Sequence, residues 1–284
     1  MTDLLIHSMA EFSDVIGQVI ARAGVRNVAE IGAEFGGMSQ LLGDHCAAAG
    51  GMLTSIDPAP KAEFVEWAAS CPHVTPIAAT SLEAMPALSG IDAWMIDGDH
   101  NYYTVFNELL LADQASRRDG KPLLAVLHDV GWPCDRRDMY YAPQTIPADH
   151  RHPHSYEAGV TLDNDGCLIG RGMRGMGHFA WALRAGGPKN GVLTAVEDFI
   201  ELAELKGAEA GAGMGGRELI YAEIPAVFGL GVLFDASAEW AEDVAGMILP
   251  YHRNALIATL ETNRLRNYLT VIEWQDRQAA GRAA

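Results

Sequence analysis

An α/β fold built on a doubly wound, mostly parallel sheet is the architecture this 284-residue sequence predicts. Three observations carry it. Short apolar runs alternate with stretches of helical period through the N-terminal half. Those runs are apolar at consecutive positions, as strands buried on both faces require. The first of them ends in a glycine-rich turn, "EIGAEFGG", that leads into a helix.

The elements follow in order. Phe12, Val15, Ile16, Val19 and Ile20 recur at helical spacing before Gly24, so a helix precedes the first strand. Strands are predicted at 27–31, 52–56, 74–77, 93–96 and 123–127, with helices near 38–48, 60–70, 81–87 and 103–116. After Asp129 the pattern breaks. The next thirty residues hold four prolines, the triplet His150, His152, His154 and no sustained period, and read as a long loop or lid. A helix resumes near 193, a Gly-rich loop "KGAEAGAGMGG" follows and reads as mobile, and "ELIYAEI" and "GLGVLFD" supply two closing strands, seven in all. The last forty residues return to helix, and Ile257, Leu260, Leu265, Leu269 and Ile272 form an apolar stripe. That stripe suits a core face or a homodimer contact through the C-terminal helices. The expected organisation is one domain over 1–284, with an insertion at 130–190 covering a substrate and a helical extension at 236–284.

Composition narrows the partners. Hydrophobic residues make up 49% of the chain and charged ones 20%, enough for a substantial core, and the formal net charge of −17 without any Lys/Arg block argues against nucleic acid. Cys46, Cys71, Cys134 and Cys167 are scattered, with neither CxxC nor zinc spacing, and read as reduced thiols. The N-terminus carries acids where a signal peptide needs a basic start, and no apolar run is long enough to span a membrane. A cytoplasmic location without membrane contact is expected.

Three carboxylates mark the candidate site. Glu30 stands at the end of the first strand, ahead of Gly32, Gly36 and Gly37; this spacing differs from the G-x-G-x-x-G of dinucleotide folds, and a turn that merely packs is the alternative. Asp57 ends the second strand, at the distance where α/β cofactor folds place an acid for ribose hydroxyls, although Asp-Pro also opens turns. Asp97 ends the fourth, within "MIDGDHNYYTV".

With these stretches together, the sequence resembles the class I S-adenosylmethionine-dependent methyltransferases over roughly 25–130, and "MIDGDHNYYTV" is similar to the fourth-strand signature of small-molecule O-methyltransferases. The resemblance implies a Rossmann-like seven-stranded sheet with an antiparallel finish. It implies that Glu30, Gly32 and Gly36 flank the methionine part of S-adenosylmethionine, that Asp57 binds its ribose, that Thr80 and Ser81 lie near the adenine, and that Asp97 approaches the sulfonium. Thr80 stands where the family often has an acid.

Neighbouring strand ends would bring Asp97 and Asp99 to face His128-Asp129, and the oxygen ligands of Asp97, Asp99 and Asp129 suit Mg²⁺. Val130 departs from the amide of the catechol pattern and His128 from the acidic pair of sugar-modifying relatives; the alternative gives Asp129 only a loop-capping role. Methyl transfer to oxygen needs alignment and a deprotonated acceptor, for which His128, His100 and Asp129 are the catalytic candidates. Trp132, Arg136, Arg137, Tyr140 and Tyr141 can wall a substrate pocket, the arginines pairing either with an acidic substrate or with Asp135 and Asp138. The expected activity is O-methylation of a sugar or other small secondary metabolite. A hydroxylase or other enzyme on this fold, an N-methyltransferase and a non-catalytic binding protein are the competing readings.

Overall fold

The computed structural model describes residues 8–210 and 217–283, with the side chains of 206–210 and 279–283 set aside. The last part of the Gly-rich loop, 211–216, lies outside the described residues. Five parallel strands, β1 (Val28–Ile31), β2 (Leu53–Ile56), β3 (Val74–Ile77), β4 (Ala93–Ile96) and β5 (Leu124–His128), fall within a residue of their predicted positions. Helices α1 (Ser13–Arg22), α2 (Gly37–Ala49), α3 (Ala62–Ala69), the one-turn α4 (Ser81–Ala84) and α5 (Tyr102–Arg118) alternate with them.

The segment after β5 is not a loop. It holds β6 (Met139–Tyr140), β7 (His154–Ser155), β8 (Ala158–Thr161), β9 (Asn164–Ile169), β10 (Met173–Arg174) and β11 (Ala180–Ala182), arranged as two three-stranded sheets, β6-β11-β7 and β10-β8-β9. Helix α6 (Val192–Ala210), strands β12 (Leu219–Ile224) and β13 (Leu230–Asp235), and helices α7 (Ala241–Ile248) and α8 (Ala255–Ala283) complete the chain.

The main sheet has seven strands in the order β12-β13-β5-β4-β1-β2-β3, with β13 antiparallel to both of its neighbours. Strand periodicity explains how it is held. In β4, Ala93 and Met95 enter one core while Trp94 and Ile96 enter the other, and β5 divides Leu124 and Val126 from Ala125 and Leu127 in the same way. One core is closed by α5, α6 and Leu265 and Leu269 of α8, the other by α1, α2, α3 and α7. Each fully buried Leu or Val contributes about 1.5–3 kcal/mol. Helix α7 therefore belongs to the core, and the predicted stripe on α8 splits: Leu265 and Leu269 are buried while Leu260 is exposed.

Two residues fasten the insertion. Arg137 is buried and donates to the carbonyls of Ala182 and Asp165, both at 2.6 Å. The fully buried Asp138 accepts from the amides of Tyr102 (2.8 Å) and Gly191 (2.7 Å) and from the hydroxyl of Tyr140 (2.7 Å). The first turns of α5 and α6 are thus tied to the insertion through one carboxylate.

Candidate active site

Parallel strands deliver their C-terminal ends to one rim, and here β1, β2, β4 and β5 present Glu30, Asp57, Asp97 and His128-Asp129. Glu30 is buried. Its Oε2 accepts from the hydroxyls of Ser39 (2.7 Å) and Ser55, while Oε1 is buried without a hydrogen-bond partner among the described residues. Burial pushes the carboxyl up to about 7 against the pull of the two serines, and the nearby Asp97 and Asp57 add to the rise. Strands β2, β1 and β4 are neighbours in the sheet, which sets residues 57, 30 and 97 along one rim.

The glycine turn between β1 and α2 is shaped by the protein itself. Gly32 has φ +90°, and a Cβ there would lie 2.1 Å from the carbonyl oxygen of Asp97, so β1 and β4 meet at their exits only because the side chain is absent. Asp57 secures the turn from the next strand: Oδ2 accepts from the amides of Ala33 (3.1 Å) and Glu34 (3.0 Å), and Oδ1 from that of Ala59 (2.7 Å).

Beyond β4 and β5, two histidines share one carboxylate. Asp129, in the left-handed region at φ 63°, sets Oδ2 2.7 Å from His100 Nδ1 and 2.9 Å from His128 Nδ1, and His128 Nδ1 lies 3.1 Å from Asp97 Oδ1. Burial opposes charge on both rings. The carboxylates outweigh it, with Asp129 foremost: His100 is pushed up to about 9, His128 rises well above its ordinary value, and both histidines hold Asp129 far below the usual carboxylate range. The other nitrogen of His128, Nε2, is buried without a partner among the described residues, and the imidazole ring stacks on Phe228 at 6.1 Å and meets Phe12 in a T-shaped contact at 6.0 Å between centroids.

The metal-ligand set expected from the sequence changes by one residue. Donor atoms of Asp97, His100 and Asp129 lie within 4.8 Å of one another, a separation one divalent ion can bridge. Asp99 turns away instead, accepting from the Asn101 amide (2.6 Å), the Thr104 hydroxyl (3.5 Å) and the Tyr141 amide (3.4 Å). Asn101 is the N-cap of α5 and draws Asp99 with it.

The remaining predicted residues divide as well. Thr80 caps α4 through a reciprocal bond with Glu83, and Ser81 is buried behind it. Arg136 forms a bidentate pair with Glu197 (2.5 and 2.7 Å), and Arg137 serves the insertion, so neither arginine pairs with Asp135 or Asp138. Tyr140 is fully buried with its hydroxyl on Asp138. Tyr141 alone of the five substrate candidates packs against the cluster, its ring 5.5 Å from that of His100. Trp132 lines a separate cavity. Arg171 and Arg174 pair with Glu273 and Asp276 of α8.

Sequence reasoning missed Glu108. This fully buried acid of α5 sits near Ser81, Asp99 and His100, and burial pushes it up to about 8. Its signal was present: position 108 falls on the apolar stripe of Val105, Leu109 and Ala112, where an acid is out of place. The partners of Glu30, Ser39 and Ser55, carried no such signal.

Residues 29–130 match a family model described as "Methyltransferase domain". No curated protein matches the chain. Among solved structures, a cofactor-bound protein from MTB is 13% identical, with 80% of each chain covered and a TM-score of 0.45. The O-methyltransferase TomG from Streptomyces achromogenes, involved in tomaymycin synthesis and solved with SAM, is 16% identical, covering 81% of this chain and 82% of its own at a TM-score of 0.44.

Proposed function

We propose that this chain, matched by the methyltransferase model at 29–130, transfers the methyl group of S-adenosylmethionine to an oxygen of a small acceptor such as a sugar or another hydroxylated secondary metabolite. One observation carries the reading: a His-Asp-His cluster adjoins a glycine turn whose rim holds three acids, so proton-handling groups and a cation-binding rim share one strand-end crevice. The rim fits the donor by its chemistry. Glu30 offers a buried oxygen that is unpartnered among the described residues, two positions before Gly32, and the carboxylates of Asp57 and Asp97 suit ribose hydroxyls and a positive sulfonium.

The chain's residues supply alignment and proton handling. Displacement at the methyl carbon demands an acceptor oxygen held in line with the departing sulfur, and Tyr141 beside His100 bounds the space where that oxygen would lie. A protonated imidazole is no base. With Asp97 and Asp129 shared with a positive sulfonium, His100 and His128 hold their protons less tightly, and a neutral ring then takes the acceptor's proton.

Asp97, His100 and Asp129 support a second reading, in which they hold a divalent ion. One nitrogen among the donors suits Mn²⁺ at least as well as Mg²⁺. A bound ion would supply Lewis acidity to the acceptor hydroxyl and leave His128 as the positioning partner of Asp129.

Isothermal titration with S-adenosylhomocysteine, repeated with Mn²⁺, Mg²⁺ or EDTA, separates these readings. Micromolar binding is expected, and its absence under every condition refutes the donor assignment. Transfer of labelled methyl groups that persists in EDTA excludes the metal.

A further inference from the structure

Polar contacts hold the His128 ring at one atom. Nδ1 lies 3.1 Å from Asp97 Oδ1 and 2.9 Å from Asp129 Oδ2, while Nε2 is buried without a partner among the described residues. The terminal torsion of histidine has broad minima, so contacts at a single nitrogen fix that nitrogen and not the plane of the ring. Aromatic contacts supply the second constraint. The Phe228 ring stacks on the imidazole at 6.1 Å with 23° between planes, and Phe12 meets it in a T-shaped contact at 6.0 Å.

Phe228 holds its place against the preference of its own backbone. Its φ of 62° lies in the left-handed region, which glycine enters freely and a bulky residue rarely does. Gly229 follows at φ 69°, so this turn between β12 and β13 suits glycine at both positions, yet the first of them carries a ring. The turn is pinned beside His128. Leu230 pairs with His128 in the sheet, the Gly131 amide donates to the Phe228 carbonyl (2.6 Å), and the Phe228 amide donates to the Trp132 carbonyl (2.8 Å). A Cβ on Gly131 would lie 2.4 Å from the Ala226 carbonyl oxygen, so the two backbones touch directly. Strain of this kind persists where the surrounding structure over-determines it.

We propose that Phe228 is a positioning residue of the candidate active site: its ring, with that of Phe12, sets the plane of the His128 imidazole and keeps Nδ1 between Asp97 and Asp129. The role holds in both readings of the site, since His128 serves as a base in one and as the partner of Asp129 in the other. Its effect on turnover rests on the methyl-transfer reading; its effect on the ring does not.

Nuclear magnetic resonance of the full chain labelled at histidine tests it, with the His128 ring signal identified by its loss in His128→Gln. In Phe228→Leu the order parameter of the His128 ring Cδ2–H bond should fall from about 0.85, the rigid range, to below about 0.6. Methyl transfer to catechol, used as the acceptor probe, should lose at least tenfold in kcat while S-adenosylhomocysteine affinity stays within twofold of wild type. Phe228→Tyr keeps the ring and should restore both. Phe228→Gly relieves the strained φ and serves if the leucine variant fails to fold; ring order and kcat should fall there too. A His128 ring still rigid in a folded leucine or glycine variant, or a mobile ring with wild-type kcat, overturns the assignment. Failure of the methyl-transfer reading shows separately, as a wild-type chain that binds no S-adenosylhomocysteine, and ring order then decides the positioning role, as it does if catechol is not methylated.

Discussion

Replacing Glu30 by glutamine should change how stability responds to pH more than how large it is. The native carboxyl is raised from its ordinary 4.5 to about 7 by burial, so between those values the folded chain keeps a proton that the unfolded chain has released. Stability from this group is fully present below pH 4.5 and is lost as pH climbs to about 7. At roughly 1.4 kcal/mol per pH unit, the loss is about 3 kcal/mol. Glutamine mimics the protonated acid: its oxygen accepts from Ser39 and Ser55 as Oε2 does, and it cannot ionise. The variant should match wild type at pH 4.5 and exceed it by about 3 kcal/mol at pH 8. Urea unfolding at both pH values, extrapolated to water, reads the difference. Glu108, pushed up to about 8, adds a slope of the same sign, but it is common to both proteins and cancels. A gap between the two proteins that stays constant within about 0.5 kcal/mol across this range refutes the reasoning.

Other substitutions probe the rest of the rim. Gly32→Ala forces a Cβ to within 2.1 Å of the Asp97 carbonyl at positive φ and should cost more than about 2 kcal/mol; an unchanged melting curve would contradict the close approach of β1 and β4. Asp57→Ala frees two backbone amides of the glycine turn and that of Ala59 and should weaken S-adenosylhomocysteine binding at least tenfold, with a secondary stability loss of about 1–3 kcal/mol; calorimetry showing wild-type affinity removes Asp57 from the donor site. Asp129→Asn takes the anion from between two histidines, and methyl transfer should fall at least a hundredfold, with any Mn²⁺ binding lost; near-normal turnover assigns proton handling elsewhere. Arg137→Met leaves the carbonyls of Ala182 and Asp165 without their donor, so limited proteolysis should cut between 140 and 185 while the main sheet persists; an uncut insertion sinks that role.

The centre of the sheet was legible because its strands are covered on both faces. Trp94, Met95 and Ile96 are apolar whichever core they enter, so a short run announces itself and its neighbours fix the topology. The insertion was not legible for the opposite reason. Strands such as Met139–Tyr140 and Met173–Arg174 are too short to show a period, and polar residues, Arg137 and Asp138, tie together the segments at 138–140, 165 and 182. At the site, spacing brought Asp97, Asp99, His100 and Asp129 to one rim but did not say which way each points. Helix capping by Asn101 decides that Asp99 leaves and His100 enters, a choice made by local hydrogen bonds rather than by residue order.

The double fastening of the insertion has a kinetic consequence. At its root, the Met139 amide binds the His100 carbonyl at 3.0 Å and Asp138 clamps the start of α5; at its far end, Arg171 and Arg174 are moored to α8. Release of the insertion from the main sheet must break both sets of contacts and disturb the His100 backbone with them, so it is slow beside side-chain motion.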